Sequence, residues 1–138
     1  MIVFIDTSAF MAILNKSDRY HARAKSTWHD LLMQEAKITC SNYILVETIA
    51  LLQNRFGTEA VRLFQRDVVP VLDIAWVDEQ IHLQAVGAML VANRRQLSLV
   101  DCTSFEIMRQ LGIASAFAFD PHFSEQGFDV FRNSIYPE

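Results

Sequence analysis

Short apolar runs alternate along the chain with longer segments in which apolar residues recur every three or four positions. The first pattern is typical of buried strands and the second of amphipathic helices. The runs predict strands at 2–5, 37–41, 71–77 and 115–119, with a last edge strand at 129–131. The periodic segments predict helices at 8–14, 20–36, 43–56, 59–67 and 79–95, and one that begins between Ser98 and Thr103 and stops at Gly112. This alternation predicts an α/β fold with a mainly parallel sheet and right-handed crossovers.

Capping residues define several of the predicted helix ends. Ser41 or Asn42 can cap the helix at 43–56, and Gly57 stands where that helix should end. Thr58 is expected to cap the next helix, and Asp78 the long helix that follows the third strand.

Length and composition favour one ordinary globular domain. The chain has 138 residues, 51% of them hydrophobic, which is enough for one well-packed core. It shows neither an internal repeat nor a linker, so we predict a single domain over 1–138. No apolar run approaches the roughly 18 residues of a membrane span, which favours a cytoplasmic protein with no membrane partner. Cys40 and Cys102 fit no zinc spacing, and we expect two reduced thiols.

The formal net charge of −4 is unusual for a protein that binds nucleic acid, since phosphate contacts normally come from basic side chains. Taken alone, this charge argues against a nucleic-acid substrate. The objection weakens if several acidic side chains surround a divalent cation, because a bound cation reverses the local sign of the field. The positions of the acids therefore decide the question.

Two acids, Asp6 and Asp120, each follow an apolar run directly. In open parallel sheets, ligands bind at the carboxyl ends of the strands. Either acid could instead be a helix N-cap. Asp6 precedes a helical segment, and Asp120 precedes Pro121 in a position where helices commonly begin. For each residue taken alone, capping is the better interpretation.

The surroundings of Glu47 indicate a functional role more strongly than those of Asp6 or Asp120 do. Its neighbours one helical turn away are mostly apolar: Tyr43, Ile44, Ala50 and Leu51. The carboxylate is therefore expected within a core-facing stripe of its helix. A buried carboxylate costs several kcal/mol unless it is protonated, paired or bound to a metal. The structural alternative is an ion pair with Arg55, two turns along the helix, or with an arginine elsewhere in the chain.

Asp101 stands at or near the start of a helix, where capping again offers an explanation. Ser98 and Asp101 could form a capping pair. Alternatively, Thr103 and Glu106 could form a separate capping box that leaves Asp101 outside it. If the helix includes Asp101, Ser104 lies on the same face and its hydroxyl could orient the carboxylate.

The convergence of these four acids is what favours a metal site. Residues at strand ends and on helices can point into one cleft, where four carboxylates would raise one another's pKa unless a cation neutralised them. An oxygen-rich site of this kind suits Mg²⁺ or Mn²⁺, and its natural chemistry is phosphodiester hydrolysis. The four histidines show no metal spacing and are expected to be surface or core residues: His21, His29, His82 and His122.

Four short motifs carry these acids along nearly the whole chain. They are Ile5-Asp-Thr-Ser-Ala9, Val46-Glu-Thr48, Leu97-Ser-Leu-Val-Asp-Cys-Thr-Ser-Phe105 and Ala118-Phe-Asp-Pro-His-Phe123. Each motif is short, but the order and spacing of the set are fairly specific. Together they resemble PIN-domain proteins, notably the toxin ribonucleases of VapBC toxin–antitoxin pairs.

The resemblance implies a three-layer α/β/α fold with a four- or five-stranded, mainly parallel sheet. It also implies an endoribonuclease that holds one or two Mg²⁺ or Mn²⁺ ions and leaves a 5′-phosphate. The family's four acids correspond to Asp6, Glu47, Asp101 and Asp120, and its supporting hydroxyls to Thr7 or Ser8 and Ser104. Family members often form homodimers, and in toxin pairs an antitoxin protein covers the pocket.

Other interpretations stay open at this point. Arg19, Arg23 and Lys25 could contact the RNA backbone beside the pocket, but a solvated helix face explains each of them equally well. The chain could also be a PIN nuclease of RNA processing, or a non-catalytic PIN-like module that binds RNA or a protein. Loss of site acids would indicate the non-catalytic module, and all four acids are present.

Overall fold

Five parallel strands form the centre of the structure, a computed structural model that describes residues 1–131. They are β1 (Ile2–Ile5), β2 (Lys37–Ser41), β3 (Asp73–Ala75), β4 (Ser115–Phe117) and β5 (Asp129–Phe131). Their order in the sheet is β3-β2-β1-β4-β5, and every pairing is parallel. The predicted α/β class and parallel sheet are confirmed.

The helices connect these strands in crossovers, as parallel pairing requires. They are α1 (Thr7–Leu14), α2 (His21–Met33), α3 (Asn42–Phe56), α4 (Thr58–Leu63), α5 (Glu79–Ala92), α6 (Leu99–Leu111) and α7 (His122–Glu125). The strand order reverses at β1, which pairs with β2 on one side and β4 on the other. A crevice at the carboxyl ends of β1 and β4 is therefore the expected place for a ligand.

Several predicted boundaries are wrong, and the backbone explains why. The strand expected at 71–77 is limited to Asp73–Ala75, because Val69–Val71 form a 3₁₀ turn around Pro70. The helix expected at 20–36 ends at Met33, before a residue in the left-handed region, Glu35 with φ of 56°. Thr58 is the first residue of α4 and makes no side-chain cap.

Capping at other ends follows the sequence. Ser41 caps α3 through a hydrogen bond from the Ile44 N–H, and Asp78 caps α5 in the same way. The strand expected at 115–119 ends at Phe117, so that the two following residues lead from β4 toward Asp120. Both cysteines are buried and free, as predicted. Among residues 1–131, none of the helices combines the length and apolar character needed to cross a bilayer.

A cluster of aromatic rings packs one side of the sheet. Phe123 is fully buried, with its ring centroid 5.1 Å from that of Phe105 and 6.4 Å from that of Phe4. Phe128 lies at the edge of this cluster, 6.5 Å from Phe123. Because Phe123 comes from the short segment that follows β4, this packing also fixes the position of Asp120.

We expect Phe123→Ala to lower the free energy of unfolding by about 3–5 kcal/mol, through lost burial and the cavity left behind. Phe56→Ala is the matched control, because Phe56 is 47% exposed and its loss should cost about 1 kcal/mol. Urea-induced unfolding of the two variants measures the difference. Equal losses would contradict the assignment of Phe123 to the core.

Candidate metal centre

An open cavity of about 490 Å³ lies at the carboxyl ends of β1 and β4. Its wall contains all four predicted site acids: Asp6, Glu47, Asp101 and Asp120. A fifth acid, Asp18, joins them, and two guanidinium groups line the same cavity, those of Arg19 and Arg55. The structure thus brings together residues that are scattered along the sequence, while their roles stay predictions.

Asp6 is fixed in place by Ser8. The Asp6 N–H donates to the Phe117 carbonyl oxygen over 3.0 Å, which continues the pairing of β1 with β4. Asp6 Oδ2 accepts hydrogen bonds from the Ser8 N–H at 3.1 Å and the Ser8 hydroxyl at 2.6 Å. The Ser8 hydroxyl in turn accepts one from the Phe119 N–H at 2.9 Å. Ser8 therefore holds the carboxylate against the ends of two strands, in agreement with a supporting hydroxyl.

Asp101 forms a reciprocal capping box with Ser98, the first of the two capping alternatives. The Ser98 N–H donates to Asp101 Oδ2, and the Asp101 N–H donates to Ser98 Oγ, both over 3.1 Å. The prediction that the Ser104 hydroxyl orients Asp101 is wrong in this structure. Ser104 is one helical turn along, but its hydroxyl donates to the Val100 carbonyl oxygen at 3.0 Å.

Glu47 lies in the cavity wall but is less buried than the sequence predicts. The buried face of α3 is formed by Ile44, Thr48 and Leu52, and Glu47 lies beside it, half-buried. The expected burial within a core-facing stripe is therefore wrong. Across residues 1–131, no salt bridge joins Glu47 to Arg55. Glu47 is nevertheless one of the residues that line the cavity.

Asp120 lies beside His122, for which the sequence predicts no role in metal binding. Asp120 Oδ1 accepts a hydrogen bond from the His122 N–H at 2.8 Å, and His122 Nε2 lies 3.7 Å from the same oxygen. One ligand atom each from Asp101, Asp120 and His122 lie within 4.8 Å of one another. His122, expected to be a surface or core residue, thus lies beside two of the predicted site acids. Sequence spacing could not indicate the group, because Asp101 comes from a different helix.

The basic residues predicted to contact RNA separate into two groups. Arg19 lines the cavity, and its guanidinium carbon lies 4.5 Å from the centroid of the Tyr20 ring, which stacks on Phe119 at 4.7 Å. Arg23 and Lys25 are exposed on α2 and are not part of the cavity wall. Of the three, only Arg19 is placed to meet a ligand in the cavity.

Burial and mutual repulsion perturb the acids at the centre of the cavity. Asp6 is 4% exposed, and burial raises its pKa to about 7 against the opposing effect of the Ser8 hydrogen bonds. The charges of Asp101 and Asp120 raise it further. Burial also raises the pKa of Asp101, and the charge of Asp120 raises it further. The hydrogen bonds with Ser98 and the charge of His122 act in the opposite direction and lower this pKa. Such a cluster favours either bound protons or a cation.

The donor atoms present suit a divalent cation. In the part of the chain that the structure describes, Asp6 and Asp101 each accept protein hydrogen bonds through Oδ2 alone, and Asp120 through Oδ1 alone. Each carboxylate thus retains one oxygen for another ligand. No Lys or Arg within residues 1–131 forms a salt bridge with any of the three. A hard cation such as Mg²⁺ or Mn²⁺ would satisfy these oxygens.

Comparison with known proteins agrees with this site. The family model described as the PIN domain matches residues 3–129. The chain belongs to the PIN domain family. The predicted family and fold class are confirmed, and the expectation of an enzyme that cleaves phosphodiester bonds is borne out by this membership and by the relatives.

One relative resembles this PIN domain over almost its entire length. The 23S rRNA-specific endonuclease VapC20 of Mycobacterium tuberculosis is 35% identical over 128 residues, which are 92% of this chain and 95% of the relative. The crystal structure of that protein, described as a sarcin-ricin loop cleaving toxin, superposes with a TM-score of 0.79 over 93% of this chain and 96% of that one. FitAcB from Neisseria gonorrhoeae shares the fold at 15% identity, with a TM-score of 0.68 and coverage of 95% and 96%.

The raised pKa of Asp6 predicts that the metal-free PIN domain loses stability as the pH rises. The carboxyl group titrates near 3.8 when unfolded and at about 7 when folded, so the folded state holds the proton more tightly between these values. This contribution is fully present below the unfolded pKa and is lost as the pH rises through the folded pKa. Asp6→Asn keeps an acceptor for Ser8 and abolishes the titration. With EDTA at about pH 8 it should be more stable than the wild type, by up to about 4 kcal/mol.

Urea-induced unfolding across the pH range, with EDTA present throughout, measures this difference. The wild type should show the decline in stability, and Asp6→Asn should show a flatter profile. A variant that is less stable than the wild type at every pH would instead assign Asp6 to helix capping alone.

Proposed function

We propose that this PIN domain is a Mg²⁺- or Mn²⁺-dependent endoribonuclease that cleaves a ribosomal RNA hairpin and serves as the toxin of a toxin–antitoxin pair. The observation that carries the proposal is the meeting of Asp6, Asp101, Asp120 and Glu47 in one open cavity where the strand order reverses. The similarity to VapC20, named as an endonuclease specific for 23S rRNA, supports the choice of substrate. A non-catalytic module would have no use for such a group of acids.

The roles of the acids follow from their surroundings. Asp6, Asp101 and Asp120, each with one carboxylate oxygen uncommitted in the described part of the chain, would hold the ion. When bound, the ion would polarise a phosphate oxygen and lower the pKa of water, so that hydroxide is available near neutral pH. Glu47 or Asp120 would orient the attacking water. In-line attack would leave a 5′-phosphate and a 3′-hydroxyl, the outcome that the family implies.

Substrate binding is assigned to the rim of the cavity. The stacked pair of Tyr20 and Phe119 supports the Arg19 guanidinium beside the acids, where it would contact a phosphate next to the scissile one. Arg55 lines the same cavity and is available for a second phosphate. These two groups counteract part of the repulsion between the acidic pocket and the RNA backbone.

Two protein partners are proposed, an antitoxin and a second copy of this chain. Members of toxin pairs are silenced by an antitoxin that covers the pocket, and the open, acidic cavity would accept a basic side chain of such a protein. We further propose a cytoplasmic homodimer in which all of 1–138 forms a single domain, although residues 132–138 lie outside those that the structure describes. The exposed apolar side chains of Leu83, Leu90 and Val91 on α5 give this chain a surface that another protein could cover.

We expect the purified chain to cleave a 23S rRNA fragment when Mg²⁺ or Mn²⁺ is supplied and to be inactive with EDTA. Asp101→Asn should reduce kcat/KM on the order of 1,000-fold, because several kcal/mol of charge stabilisation are lost. Asp129→Asn is the matched control, since Asp129 is exposed on β5 away from the cavity wall. Gel analysis of end-labelled RNA measures cleavage. Full activity of a folded Asp101→Asn variant would refute the assignment.

We expect Arg19→Gln to raise KM roughly 10-fold while changing kcat little, because a charge-assisted phosphate contact contributes to binding substrate and transition state alike. Arg62→Gln removes an equivalent charge from the exposed face of α4 and should leave both constants unchanged. Steady-state kinetics at several salt concentrations measure the effect. An unchanged KM for Arg19→Gln would show that the bound RNA does not contact this part of the rim.

A further inference from the structure

The histidine of the Asp120-Pro-His122 turn is held by a chain of charged groups that extends away from the cavity. His122 Nδ1 lies 3.3 Å from Glu125 Oε2, and both terminal nitrogens of Arg94 lie 3.3 Å from the same oxygen. The His122 side chain is 12% exposed, whereas those of Glu125 and Arg94 are 42% and 45% exposed. The ring is thus anchored from the solvent side, through Nδ1.

This anchoring determines which ring nitrogen carries the proton. A carboxylate can only accept, so the Glu125 contact requires a proton on Nδ1. In the neutral ring, Nε2 then carries a lone pair, and Nε2 lies on the side of Asp120, 3.7 Å from Oδ1. Metal-binding histidines commonly have this arrangement, with the second nitrogen donating to a carboxylate.

Asp101, Asp120 and His122 lie close enough together for one ion to contact all three side chains after small adjustments of their positions. A separation of 3.7 Å is too long for a direct hydrogen bond to Asp120 Oδ1. Two ligands of a six-coordinate ion with bonds of about 2.1 Å are separated by roughly 3.0 Å when adjacent and 4.2 Å when opposite. Asp101, Asp120 and His122 each offer an atom within 4.8 Å of the others, close to this range.

We propose that His122 Nε2 is a nitrogen ligand of the ion held by Asp101 and Asp120, oriented by Glu125 and Arg94. The family's four acids alone would provide only oxygen ligands. Since Mg²⁺ prefers oxygen and imidazole binds transition ions, His122 shifts the preference of the site from Mg²⁺ toward Mn²⁺ and related ions. This inference rests on the proposed metal-dependent function for the presence of the ion.

Pulsed electron paramagnetic resonance of the full chain loaded with Mn²⁺ tests the proposal directly. Coordination by His122 should produce modulation from a directly bound ¹⁴N nucleus, which should disappear in His122→Ala. That variant keeps the backbone N–H that Asp120 Oδ1 accepts, so the turn is retained. His29→Ala is the control, because His29 is exposed on α2 and should leave the signal intact. The wild-type spectrum alone already shows whether a nitrogen atom binds the ion.

Metal titration gives an independent measurement. His122→Ala should weaken Mn²⁺ binding on the order of 10-fold or more and Mg²⁺ binding less, so that the ratio of the two dissociation constants changes. Glu125→Gln should weaken Mn²⁺ binding by a smaller factor and retain the ¹⁴N signal. Mn²⁺ that binds the wild type without ¹⁴N modulation, or with modulation that survives His122→Ala, overturns this inference alone. A wild type that binds Mg²⁺ but not Mn²⁺ likewise overturns this inference alone, whereas failure to bind either ion overturns the proposed metal-dependent function as well.

Discussion

The burial of neighbouring carboxylates at one end of a parallel sheet is the constraint on which the site depends. Burial raises the pKa of Asp6 to about 7, and the charges of Asp101 and Asp120 raise it further. The pairing of β1 with β4 brings the segments that carry Asp6 and Asp120 to the same edge of the sheet, and α6 supplies Asp101. Packing of the core therefore holds the acids together despite the cost of burying their charges, and a bound divalent ion would reduce that cost.

Hydrogen bonding to the local backbone and metal binding are compatible roles for these acids. From the sequence, a cap seemed the simpler explanation for Asp6 and Asp120. In the structure, Asp6, Asp101 and Asp120 each accept hydrogen bonds from nearby N–H groups through one oxygen, and the other oxygen accepts none within residues 1–131. These hydrogen bonds hold each carboxylate in one orientation, which is what a preorganised ligand requires. Local structure and site geometry thus come from the same hydrogen bonds.

The sequence predicts those features that depend on local pattern. The order of strands and helices and the placement of Asp6 and Asp120 after strands follow from apolar runs and capping signals. Features set by tertiary packing are not predictable in this way. The partial exposure of Glu47 depends on how α3 rotates against the sheet, and the proximity of His122 to Asp101 depends on where α6 lies. The engagement of Ser104 with a backbone carbonyl is equally invisible in the sequence.

The acids of the cavity account for part of the net charge of −4. Five carboxylates and two guanidinium groups line the cavity, so the metal-free pocket repels a phosphate backbone. A divalent ion at Asp101 and Asp120 would neutralise charge at the proposed position of the scissile phosphate, while Arg19 and Arg55 would attract the flanking phosphates at the rim. Binding of RNA in a productive position is then coupled to binding of the ion, because each lowers the electrostatic cost of the other. An acidic protein can in this way cleave a polyanion without a broadly basic surface.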